Sequence, residues 1–153
     1  MSKDVVVVVK LEDVPQTIDT LDILLISTAR EKPAKTYMDL EEIKTDWTES
    51  SIMYKKAAAL FNQGNARPAP ESLIRKVTIV GFETPESAEG LVEEIKVYQE
   101  TNNDWYIFLT DQTDDDYLEV LGEFAAASEP TEAELSSGVE DHRKLYIAQT
   151  SNK

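Results

Sequence analysis

Between residues 74 and 149, three short apolar runs alternate with two amphipathic stretches, and no other feature of the chain constrains its fold as much. The runs are IRKVTIVGF (74–82), WYIFLT (105–110) and KLYIAQ (144–149). Each is short and rich in β-branched or aromatic residues, as strands are. Between the first two, Ala88, Leu91, Val92, Ile95 and Tyr98 recur at helical spacing. Between the last two, Tyr117, Leu121, Phe124, Ala125 and Ser128 do the same. Thr84 and Pro85 suit the cap and first turn of the first helix, Asn102-Asn103 a turn after it, and Pro130 the end of the second. Connections this long predict parallel neighbours joined by right-handed crossovers. The fold class that follows is α/β: a layered, mixed or mostly parallel sheet flanked by helices, in a single domain over residues 1–153.

The first half adds strands and a helical pair. Residues 4–10 (DVVVVVK) hold five consecutive valines and read as a strand buried on both faces. Such a run is more apolar than a solvated edge strand. It fits either a central strand or one that pairs with another chain through Val5, Val7 and Val9. Residues 21–27 (LDILLIS) read as a second apolar strand, and residues 29–35 (AREKPAK) as a basic loop. One helix is expected to carry Tyr37, Leu40, Ile43 and Trp47 behind a Thr36 cap. A second carries Tyr54, Ala57, Ala58 and Phe61 behind Ser50 or Ser51, and Gly64 can stop it. Residues 65–71 (NARPAPE) form an extended link. Residues 129–142 hold five acids and Ser136-Ser137-Gly138, and read as a mobile acidic loop. Leu145 and Ile147, near the other terminus, are the second candidates for pairing with another chain.

Composition removes several classes of function. There is no cysteine, hence no disulfide or thiolate metal site, and one histidine, His142, set among hydrophilic neighbours. No apolar run approaches the roughly 20 residues of a membrane helix, which predicts a soluble protein made in the cytoplasm with no membrane partner. None of the five glycines falls in a GxGxxG or GxxxxGK spacing, and no cofactor is expected. The net charge of −15 is lopsided: residues 1–76 carry 11 basic and 12 acidic groups, residues 77–153 carry 4 and 18. The acidic half repels nucleic acid and suits either a basic partner surface or plain solubility.

Four aspartates, Asp111, Asp114, Asp115 and Asp116, follow the run at 105–110, where ligands of open α/β sheets bind. A cap at Thr113 would leave Asp114 to Asp116 in a helix's first turn, where each acid gains about 0.3–1 kcal/mol from the macrodipole. Asp111 suits the preceding turn. A magnesium site would need a phosphate held nearby, yet no Lys or Arg occurs between Lys96 and Arg143. A response-regulator receiver would need an acidic pair after its first strand, where this chain has Ser27-Thr28-Ala29. No spacing singles out a carboxylate pair, and the chain is not expected to be an enzyme.

Residues 35–68, KTYMDLEEIKTDWTESSIMYKKAAALFNQGNARP, resemble a segment of the contractile-tail sheath proteins of bacteriophages. In that family Y-x-x-L-x-E-V-x-x-D leads into S-x-x-Y-K-A-A-x-x-F-F-x-Q and a proline-bearing link. The matching residues are Tyr37, Leu40, Glu42, Ile43, Asp46, Ser51, Tyr54, Lys55, Ala57, Ala58, Phe61, Gln63 and Pro68. The strand at 76–80 and the Trp105-Tyr106 pair opening another are similar to the family too, so that the resemblance covers about residues 20–125. It implies a structural virion protein, made in the host cytoplasm, one module of a longer type of subunit. Its partners would be further copies of itself (a homo-oligomer) and tail tube or baseplate proteins. It also implies no active site: such subunits interlock by lending strands to neighbouring sheets and work by repacking their interfaces.

Overall fold

A computed structural model of the chain describes residues 23–62, 74, 76–83, 85–129, 131–138 and 143–149. Val5, Val7, Val9 and His142 lie outside them. The fold turns on β1 (Ile23–Ser27), whose five residues are all buried. Ile23 and Leu25 enter one core, Leu24 and Ile26 the other. A strand apolar at four successive positions requires a layer on each face, and each apolar side chain buried there contributes about 1.5–3 kcal/mol. The other strands are β2 (Lys32–Tyr37), β3 (Val77–Gly81), β4 (Ile107–Thr110) and β5 (Leu145–Tyr146). The sheet order is β2-β3-β1-β4-β5. All neighbours run parallel except β2 and β3, so the sheet is mixed and mostly parallel.

The segment read as a basic loop is thus largely an edge strand. KPAKTY buries only Tyr37, so its own pattern carries no strand signal. It is extended because β3 offers it a ladder, reinforced by the cross-strand Thr36–Thr78 hydroxyl pair at 2.8 Å. Gly81 permits this approach: a Cβ there would collide with the Arg30 carbonyl and lie 2.9 Å from the Lys32 amide nitrogen.

Helices α1 (Leu40–Asp46) and α2 (Ile52–Phe61) cover one face, over Tyr37, Ile43, Trp47, Met53, Ala57 and Leu60. Helices α3 (Ala88–Thr101) and α4 (Asp115–Ala127) cover the other, through Leu91, Val92, Ile95 and Leu121. A short α5 (Glu132–Ser136) follows, within the acidic segment.

Three caps differ from expectation. Asp39, not Thr36, caps α1 by accepting from the Glu42 N–H, because Thr36 is held in β2. Ser87 caps α3 through the Gly90 N–H, so the helix begins beyond Pro85. Asp114, not Thr113, occupies the cap of α4 and makes no side-chain cap bond. Ser51 caps α2 as its sequence suggests.

Charge follows the layers. Helices α1 and α2 together hold three acidic and three basic residues, whereas α3 and α4 hold eight acids and Lys96 alone. The described helices of the two halves thus cover the two faces of the sheet. No helix among the described residues is long and apolar enough to cross a membrane.

Candidate functional site: the strand-end crevice and the two sheet edges

The chain leaves β1 for β3 across the α1–α2 face, and leaves β4 for β5 across the α4 face. The carboxyl ends of β1 and β4 therefore flank the point where the strand order changes direction, the usual ligand crevice of an open α/β sheet. Asp111 stands there. Its carboxylate accepts from the Thr28 N–H at 2.9 Å, the Thr28 hydroxyl at 2.7 Å and the Ser27 hydroxyl at 3.2 Å. Gln112 Nε2 donates to the same Thr28 hydroxyl at 2.6 Å. Ser27 and Thr28 are buried, so Asp111 supplies the acceptor their donors need away from water.

Lys56, on α2, lies close enough to feel the charge of Asp111 and donates to Gln149 Oε1 at 3.0 Å. Burial lowers its pKa, and Asp111 opposes that shift. Asp115 and Asp116 sit exposed in the first turn of α4. The four aspartates do not converge: among the described residues no three Asp, Glu, His or Cys side chains are grouped to hold a metal. The crevice is a fastening between two strand ends. Sequence reasoning placed Asp111 in a turn but could not reveal its partners, 83 and 84 residues away.

The edges of the sheet differ. At β2, Pro33 removes a donor, and Lys32 and Lys35 put charge on the rim, devices that discourage further pairing. These lysines turn to Asp46 at the end of α1, each at 2.8 Å. Tyr37 Oη donates to the same carboxylate at 3.0 Å. Bonds from Lys32, Lys35 and Tyr37 hold the Asp46 pKa well below the usual carboxylate range. Lys32 and Arg30 also donate to the Asp46 carbonyl, which places cations at the negative end of α1. Arg30 lies 4.5 Å over the Trp47 ring.

Among the described residues, the β5 edge has no proline and no charged side chain within the strand. β5 pairs with β4 through Leu145 N to Tyr106 O (2.9 Å) and Ile147 N to Phe108 O (3.1 Å). Tyr146 stacks on Phe108 with centroids 5.0 Å apart. Leu145 lies opposite Ile107, which packs on the α1–α2 side. Leu145 and Ile147 thus lie on the α1–α2 face of the sheet yet stay 45% and 44% exposed. Sequence reasoning singled out this pair, and the structure brings it to a sheet edge.

Behind the strand, Lys144 is buried. Its ammonium donates to the carbonyls of Trp105 and Asn103 and sits 3.9 Å over the Trp105 ring. Burial pushes its pKa down to about 8, against the pull of Asp104. Nothing in KLYIAQ marked this lysine as internal.

No family model, no curated protein and no solved structure matches the chain.

Proposed function

We propose that the chain is a structural subunit, a sheath-like module of a contractile phage tail or related injection machine, whose work is done at protein–protein interfaces. It has no catalytic role in this reading. It acts in the virion, after synthesis in the host cytoplasm, through contacts with further copies of itself and with tail tube or baseplate proteins. One observation carries the reading: among the described residues, the sheet edge at β5 has no proline or charged side chain and presents two partly exposed apolar residues, Leu145 and Ile147, on the α1–α2 face. The sequence resemblance adds support. Its residues Tyr37, Ile43, Asp46, Ser51 and Ala57 build the α1–α2 layer by packing, capping and the Tyr37–Asp46 bond.

The described sheet has no gap between its strands, so a further strand can join only at an edge. In this reading the edge at β5 receives an extended segment from a neighbour, and the valine run at residues 4–10 supplies a β-branched, continuously apolar strand for that role. The test is sedimentation and negative-stain microscopy across a concentration series. The wild-type chain is expected to form ordered oligomers. Leu145→Asp with Ile147→Asp should stay folded by circular dichroism and lose them. A wild-type chain that remains monomeric at every concentration, and binds no tail component, overturns the reading.

The acidic α3–α4 layer favours a second reading, a binding module for a basic protein surface that includes nucleic-acid mimicry. That reading predicts capture of a DNA-binding protein at low salt and its release when salt screens the exposed charges.

A further inference from the structure

We propose that copies of this chain associate head to tail, with the outer face of α2 in one copy set against the acidic outer face of α3 and α4 in the next. The inference rests on the structural-subunit reading and specifies its partner surface. α2 carries Lys55 and Lys56 and no carboxylate. Its solvent side presents Ile52, Lys55 and Ala59 at helical spacing, with Ile52 52% exposed. That is an apolar stripe with a cation and no negative charge, on a chain of net charge −15. Across the sheet, Glu119 and Glu123 stand one turn apart on the exposed side of α4, a helix with no Lys or Arg.

Symmetry then decides the arrangement. A twofold contact sets a surface against itself. Through α3 and α4 it would oppose eight carboxylates to eight, with Lys96 as their only helical counterion. Through α2 it would oppose lysine to lysine. Like charges across an interface are strongly disfavoured, and complementary ones fix register. Of these three pairings, only α2 against the α3–α4 face matches cation to carboxylate. Because α2 and the α3–α4 pair lie on opposite faces of one sheet, a copy engaged through one of these surfaces still presents the other among its described residues. Such a contact closes into rings or continues as a filament.

The test uses the full chain and three variants: Lys55→Glu, Glu119→Lys with Glu123→Lys, and all three substitutions together. These residues are exposed, and near-ultraviolet circular dichroism checks that each variant folds. Light scattering then reads the concentration at which oligomers appear, at low and high salt. Each partial variant is expected to raise that concentration at least tenfold at low salt, and the triple variant to restore it. The two partial variants mixed should assemble again, alternating along the oligomer, because each supplies the surface the other lacks. If wild type assembles and neither partial variant changes the threshold, the inference fails while the structural-subunit reading stands. If wild type never assembles, both fail.

Discussion

Tyr37 and Asp46 meet across 3.0 Å, the tyrosine hydroxyl donating to a carboxylate that also holds Lys32 and Lys35. The contact ties the last residue of β2 to the last residue of α1. Tyr37 is fully buried, while Asp46 sits at the rim with its cations. One side of the bond is core and the other is surface, so its loss affects both packing and charge.

Tyr37→Phe keeps the ring and removes the bond. The expected loss is about 1.5–3 kcal/mol, as for a hydrogen bond to a charged acceptor. Burial, then the bond to Asp46, raises the Tyr37 pKa from 10.0 to about 12. The unfolded chain therefore ionises this tyrosine first, and its stabilising effect fades as pH rises from 10 to 12. Urea denaturation over that range should show a smaller alkaline loss in Tyr37→Phe than in wild type. Equal losses would mean that the hydroxyl does not titrate as the structure requires.

Lys144 has the opposite sign. Its folded-state pKa of about 8 lies below the ordinary 10.5, so between those values the unfolded chain binds the extra proton. Stability attributable to this group rises with pH across that window. Lys144→Met retains an unbranched side chain over Trp105 and removes the titration. Urea midpoints near pH 7.5 and pH 9.5 should increase more in wild type than in the variant. Parallel shifts in both would place the proton elsewhere.

Asp111 and Asp115 lie four residues apart and should respond very differently. Asp111→Ala strands the buried Thr28 N–H and the Ser27 and Thr28 hydroxyls, for an expected loss of about 2–3 kcal/mol. Asp111→Asn keeps an acceptor and should lose less. Asp115→Ala gives up only a helix-terminus interaction, under about 1 kcal/mol. Chemical denaturation of the three variants checks the order, and equal effects at Asp111 and Asp115 would refute the fastening.

Gly81→Ala should destabilise the β2–β3 pairing. The added methyl meets backbone, the Arg30 carbonyl and the Lys32 amide, which cannot rotate aside. An expected loss of about 1–3 kcal/mol matches other overpacked sites. Amide exchange should accelerate at residues 32–37 before it does in β1. Unchanged protection there would show that the loop yields freely.

Local periodicity determined much of this protein. The apolar run ILLI had to be an internal strand, and the spacing of Leu91, Val92 and Ile95 had to present one helix face to a sheet. The alternation after residue 74 required parallel crossovers, and KLYIAQ was legible as a strand. These signals sit within a few residues of one another, where chain geometry links spacing to shape. Tertiary structure decided the rest. β2 is a strand only because β3 lies beside it, and Lys144 is internal only because Trp105 and Asn103 turn their carbonyls towards it. Asp111 is a fastening only because β4 packs against β1. The lopsided charge became a two-faced molecule when the two pairs of helices took opposite sides of one sheet. Such partners are far apart in sequence, and the energy of a buried polar group depends on what surrounds it in space rather than on its neighbours along the chain.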